Sequence, residues 1–263
     1  MAETPQNTAR ALLVAPSVGF AEDAAGYWFD KKFVEGMRLF RTLWGGPLVS
    51  AMKRVEKASL PFGDYYTLDE LPFELIPRAP GEELSASQVA SAAAVLAAGD
   101  NHDQLGLCLD EAERRPPVCY ILEHDQPTRY QLVWLDGRPL GARLKSLVWT
   151  WLIDRRRKAA VSRAEAIQAN GAPAMASYSP LQPNALLFFD TRMRDEMLAT
   201  PAEMEARAAR LRSGAPLRLV FSGRFERIKG VRHLPLVAAA LKKRGVDFSF
   251  EIFGTGSLES EVA

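Results

Sequence analysis

The sequence has little cysteine, little histidine and no long apolar run, and each shortage narrows what the chain can be. Cys108 and Cys119 are the only cysteines in 263 residues and lack a Cys-x-x-Cys spacing, which suits buried thiols in a reducing compartment. With histidines only at His102, His124 and His233, and no His or Cys pair at ligand spacing, no metal site is implied. The longest apolar stretch, LVWTWLI at 147–153, falls far short of the roughly 20 residues needed to span a bilayer. At the N-terminus, MAETPQNTARALLVAP carries acidic and polar residues where a signal peptide has a positive flank and an apolar core, so the sequence reads as cytoplasmic. Charge of one sign is also lacking. The 33 Lys and Arg against 32 Asp and Glu leave a net charge of +1 and no global reason to expect nucleic acid.

What is present is ordinary globular composition, 48% hydrophobic and 25% charged, in a chain long enough for more than one domain. Apolar runs of strand length alternate with helical patterns, the signature of a parallel sheet covered by helices. Strands are expected at ALLVAP (11–16), within GGPLVSAMKR, at FELIP (73–77), LGLCL (105–109) and PVCYILEH (117–124), in AEAIQA, and at ALLFFD (185–190). Phe29, Phe33, Met37 and Phe40 recur at helical spacing in FDKKFVEGMRLFRTLW, and SQVASAAAVLAA reads as a second helix. This predicts one Rossmann-like domain over residues 1–190. The polar, helix-prone stretch 191–216 reads as a connector. A second α/β pattern then begins over 217–263: the strand LRLVFS, a glycine-bracketed turn, a helix through VAAALKKRG, the strand FSFEIF, and GTGS opening another helix.

In a doubly wound sheet the carboxyl ends of the strands line the ligand crevice, and the next helix points its partially positive N-terminus there. SGRFERIKG occupies such a turn, with Arg224 beside Gly223 and Lys229 beside Gly230. Flexible backbone plus two cations suits a phosphate or diphosphate, although a solvated loop would carry the same residues. GTGSLE, with Gly254 and Gly256, lacks the third glycine of a dinucleotide fingerprint and is not a Gly-Lys-Ser/Thr phosphate loop; a tight turn accounts for it equally. Glu123, His124 and Asp125 end the apolar run PVCYIL. His124 is the candidate for proton transfer or for orienting a hydroxyl.

SGRFERIKG followed by a helix, a strand and FGTGSLE resembles the opening of the C-terminal domain of group 1, or family 4, nucleotide-sugar glycosyltransferases of the GT-B fold. The match is specific over about 217–258 and looser before it. The resemblance implies two Rossmann-like domains, the acceptor bound mainly by the first and the nucleotide-diphosphate sugar mainly by the second. It implies that Arg224 and Lys229 grip the donor diphosphate, that the loop around Gly19 lies on the acceptor side, that His124 faces the transferred sugar, and that anomeric configuration is retained. No Asp-x-Asp occurs, so the positive side chains would replace a metal at the leaving diphosphate, with no cofactor beyond the donor. By the same resemblance the second domain is expected to be incomplete. The rival is a non-catalytic or inactive fragment acting as a binding module. A sugar-nucleotide epimerase is disfavoured, because its glycine fingerprint should follow the first strand and PSVGFAEDAAGY does not supply it.

Residues 138–163 carry eight cations against one acid, Asp154, with Trp149, Trp151 and aliphatics between them. This predicts either a helix with its aromatics in the core and its arginines in water, or a basic face for an anionic membrane surface and a lipid-linked acceptor.

Overall fold

A computed structural model describes residues 10–24, 26–60, 62–111, 114–135, 137–191 and 195–262. The first nine residues, which carry much of the signal-peptide argument, and 192–194 of the expected connector lie outside them. The chain divides into two compact units. One holds the residues up to Tyr130 with Pro139–Asp190, and the other Gln131–Arg138 with the residues from Thr191 onward.

In chain order the first part runs β1 (Leu12–Ala15), β2 (Phe20–Asp23), β3 (Gly26–Asp30), α1 (Lys31–Trp44), β4 (Leu48–Lys53), β5 (Gly63–Tyr66) and β6 (Glu74–Arg78). It continues with β7 (Ala94–Ala98), α2 (Gly106–Leu109), β8 (Val118–Leu122), α3 (Gln126–Leu135), α4 (Leu140–Arg163), β9 (Ala166–Asn170), α5 (Gly171–Tyr178) and β10 (Ala185–Phe188). Seven strands form one sheet in the order β10-β9-β8-β7-β1-β4-β6, every neighbouring pair parallel. From β1 the chain moves outward through β4 and β6, then returns to the other side of β1 and continues through β7 to β10. The order therefore reverses between β1 and β7, the mark of a doubly wound Rossmann-like sheet. This architecture is consistent with the expected α/β class.

Alternation along the strands builds a core on each side of the sheet. Leu13, Ala15 and Ala51 pack with Tyr120 and with Ala160, Val161 and Tyr178 of α4 and α5. Leu12, Val14, Leu48 and Met52 pack on the other side with Phe29, Val34 and Met37. There the segment expected to be a loop after β1 forms a hairpin, β2 with β3, extended by β5 into a three-stranded antiparallel sheet. Phe29 thus belongs to β3, and the helix begins at Lys31 with the Asp30 carboxylate accepting from Phe33 N at 3.1 Å.

Two other expectations are corrected. The run SQVASAAAVLAA, read as a helix, contains the central strand β7, flanked by β1 and β8, with Val95 and Ala97 buried on one face and Ala94 and Leu96 half-buried on the other. LGLCL, read as a strand, is the short helix α2, so Cys108 is helical and buried.

α4 departs most from its expected orientation. Asp154 and Arg157 are both only 3% exposed, whereas Trp149 and Trp151 are 55% and 47% exposed. The inward stripe holds an ion pair and the outward stripe the aromatics. Among the described residues no helix is long and apolar enough to cross a membrane.

In the second unit α6 (Pro201–Arg212) starts with a capping box between Thr200 and Glu203, within the expected connector. β11 (Leu217–Ser222) pairs in parallel with β12 (Phe248–Phe253), joined through α7 (Leu234–Lys243) and followed by α8 (Glu259–Val262). Phe225, Val231 and Leu258 are buried, with Phe221, Leu234 and Ile252 packed against them. The alternate positions Val220 and Phe253 are exposed.

Arg157→Met should test the ion pair that orients α4. Leaving Asp154 buried without its nearest cation should cost about 3–5 kcal/mol of unfolding free energy, read by urea denaturation, and Asp154→Leu/Arg157→Met should recover part of the loss. A single variant within about 0.5 kcal/mol of wild type would contradict this role.

Candidate functional site

The strand order places a crevice at the carboxyl ends of β1 and β7, where successive connections leave the sheet in opposite directions. Gln104 braces this point: its Nε2 donates to Pro16 O at 3.1 Å and its Oε1 accepts from Ala98 N at 2.7 Å. A cleft of about 450 Å3 opens there. Phe33, Met37 and Phe40 of α1 form an apolar wall, Val14–Val18 follow β1, and Asp100, Asn101, Glu123 and His124 supply polar edges. Lys32, also on the lining, pairs with Asp190.

Asp100 organises the polar edge. Its Oδ2 accepts from Glu123 N at 2.6 Å and from His124 N at 3.3 Å, while Oδ1 accepts from Arg129. Arg129 also donates to His124 O at 2.5 Å and to Tyr178 Oη at 2.5 Å, and lies 3.5 Å from Asp154 Oδ1. Arg157 donates to Gly99 O at 2.8 Å, to Asp100 O at 3.2 Å and to Asp154. The backbone ends of β7 and β8 are thus fixed by side chains from α3 and α4, with Tyr178 of α5 supporting Arg129.

Nδ1 of His124 lies 3.6 Å from Asp100 Oδ2, within ion-pair range and long for a direct hydrogen bond. The facing carboxylate raises the imidazole pKa against partial burial. For Asp100, burial alone would favour the neutral acid, but the His124 contact, the Arg129 charge and the Glu123 amide together hold its pKa down to about 2. Asp100 is therefore a fixed anion, and His124 a partly exposed group whose protonated form that anion favours. Asp125 has a different duty, accepting from Thr128 N at 3.0 Å as a cap for the start of α3.

The other expected site residues separate by unit. Gly19 lies in the first unit, where an added Cβ would meet Val55 Cγ1 at 2.5 Å and Lys53 O at 2.6 Å; close packing against the end of β4 already accounts for glycine there. In the second unit Gly223, Arg224, Lys229 and Gly230 follow β11 and Gly254 and Gly256 follow β12, and the two turns meet at Gly223 and Gly254 and at Phe225 and Gly256. Arg224 and Lys229 are exposed. Gly223 N donates to Phe253 O at 3.0 Å and Phe225 N to Thr255 O at 2.8 Å, so those two amides are engaged with the opposite turn. A Cβ on Gly254 would stand 1.9 Å from Gly223 O, and one on Gly256 2.7 Å from Phe225 O. Both glycines are required by the approach of the two turns. Gly230, with φ of 69°, closes a short 3-10 turn; α7 begins only at Leu234, after a further such turn. Glu226 sits between the two cations and accepts from Ser257 Oγ at 2.8 Å, which lowers its pKa and keeps it anionic.

Sequence reading missed Asp100, Arg129, Arg157 and Tyr178. The available signal was Gly-Asp-Asn directly after AVLAA, which becomes a strand-end signal only once that run is recognised as a strand. Among the described residues no group of three or more His, Cys, Asp or Glu side chains could hold a metal ion.

The pKa shifts predict a pH response. Because its pKa is lowered on folding, Asp100 contributes stability that is present above the ordinary carboxylate value near ~3.9 and is lost as pH falls through about 2. His124, raised on folding, contributes below about 6.5 and loses that contribution as pH rises through its folded pKa. Asp100→Asn should remove the acid-side contribution and lower the His124 midpoint measured by NMR. An unchanged midpoint would exclude the carboxylate as the cause.

No family model matches the chain, and none of the curated proteins compared with it matches. Among solved structures it is similar to UGT2 of Phytolacca americana complexed with UDP-2fluoro-glucose and pterostilbene, at 12% identity and a TM-score of 0.43, over 94% of this chain and 72% of that one. It is also similar to apo UGT2 of the same plant, at 12% identity and a TM-score of 0.39, over 91% of this chain and 63% of the other.

Proposed function

We propose that the chain belongs to a glycosyltransferase that moves a sugar from a nucleotide-diphosphate donor to a hydroxyl acceptor. The observation that carries this reading is the His124–Asp100 pair at the edge of the switch-point crevice. A histidine held against an anion in a half-apolar cleft can orient an acceptor hydroxyl and exchange a proton with it. Transfer breaks the bond from the anomeric carbon to the diphosphate oxygen, forms one to the acceptor oxygen, and releases the acceptor's proton.

The donor side of the proposal rests on Arg224 and Lys229 in the turn after β11, within the segment that resembles the family 4 transferases. Since the Gly223 and Phe225 amides are already bonded, the grip on a diphosphate there falls to the side chains. Glu226 moderates the charge of Arg224. The same resemblance carries retention of configuration into the proposal.

Arg224→Ala and Lys229→Ala should each weaken UDP or GDP binding by about tenfold or more in calorimetry, the loss of one charge-assisted contact of about 1.5–3 kcal/mol. His124→Gln should lower nucleotide release with a hydroxyl acceptor by about 10²-fold with little change in melting temperature. Nucleotide binding with no turnover under any donor would favour the binding-module reading. Normal turnover in His124→Gln would remove His124 from the reaction.

A further inference from the structure

The outward face of α4 has the chemistry of an interfacial surface. At 3.6 residues per turn, its exposed positions fall on one side of the helix. Toward the N-terminus this side presents Leu144, Val148, Trp151 and Leu152, from 47% to 63% exposed. Toward the C-terminus it presents Arg155, Lys158 and Arg163, with Lys145 among the apolar residues. The only acid from 138 to 163, Asp154, is turned inward to Arg157 and Arg129. Arg155 lies over the Trp151 ring at 4.9 Å, placing the cation directly beside the apolar group. Trp149, at the edge, meets His102 edge-on at 5.8 Å. Arg156, two turns further along the same edge, is engaged by Glu83 at 2.8 Å.

A helix whose only task was to cover the sheet would turn Trp151 and Leu152 inward and leave Asp154 and Arg157 in water. Here the ion pair is inside because Arg157 holds Gly99 O and Asp100 O, and the apolar side faces out as a consequence. A contiguous apolar stripe beside cations and free of exposed acids fits an anionic bilayer: tryptophan and leucine enter the headgroup boundary, and lysine and arginine meet the phosphates. A second copy is a poor occupant, since a two-fold contact through this stripe would bring Lys145, Arg155 and Lys158 of each copy together, and the acid at its edge, Glu83, is already paired with Arg156.

We propose that the outward face of α4 is a membrane-docking surface that inserts Val148, Trp151 and Leu152 shallowly into an anionic leaflet, with Lys145, Arg155 and Lys158 against the headgroups. Docking of this kind stands independently of any transfer chemistry. Co-sedimentation of the whole chain with phosphatidylcholine vesicles, with and without phosphatidylglycerol, tests it. The chain should be retained only with phosphatidylglycerol at low salt, and released near about 1 M salt, where the screening length falls to roughly 3 Å. Lys145→Glu/Arg155→Glu/Lys158→Glu should lower the partition coefficient by about 100-fold. Trp151→Ser/Leu152→Ser should lower it by about tenfold or more. Both variants should keep the wild-type melting temperature, because the changed side chains are exposed. Failure to bind phosphatidylglycerol vesicles at low salt would overturn the proposal, as would binding by the triple variant equal to wild type. Self-association without vesicle binding would also overturn it and assign the face to a second copy.

Discussion

The Asp100 carboxylate is the contact on which the rest of the first unit's crevice edge depends. A carboxylate largely withdrawn from water is tolerable only when its oxygens are occupied, and this half-buried one accepts from two successive amides of the β8 turn and from Arg129. Those bonds do more than neutralise a charge. They fix where β8 ends, and hence where His124 stands relative to the crevice between β1 and β7.

The second layer of the same network determines α4. Arg157 reaches the carbonyls of Gly99 and Asp100, and Asp154 completes its pairing, so this side of the helix faces inward despite its charge. The outward exposure of Trp149 and Trp151 is then a consequence of how the β7 turn is held. Buried pairs of this sort add little net stability compared with apolar packing, but they specify one orientation of the helix over its alternatives. In this chain that orientation links a crevice at the sheet edge to an exposed, cationic and aromatic surface on the same unit.

Much of the fold was legible because alternation and strand length are local signals. β1, β4, β6, β8 and β9 in the first unit, and the β11–α7–β12 pattern in the second, were evident from apolar runs and glycine turns. β7 was hidden by composition. A central parallel strand flanked on both sides can be built from alanines, and SAAAVLAA then has the profile of a good helix former. LGLCL failed in the opposite sense: a wholly apolar run has no periodicity to distinguish a short buried helix from a strand. The candidate site was half legible. His124 was found because it ends a clear strand, whereas Asp100 was lost with β7, and Arg129, Arg157 and Tyr178 are recognisable only through contacts between residues far apart in sequence. Gly19, Gly254 and Gly256 stood out in the sequence, and close backbone approach now explains each of them without a ligand.

Amide hydrogen exchange at Glu123 and His124, compared between wild type and Asp100→Ala, tests most directly whether one carboxylate sets the crevice edge. Both amides lie past the end of β8, so Asp100 is what should protect them. The account predicts slow exchange in wild type and acceleration by about 10²-fold or more in the variant, with the amides within β7 and β8 much less affected. Equal exchange of the two amides in both proteins would contradict it.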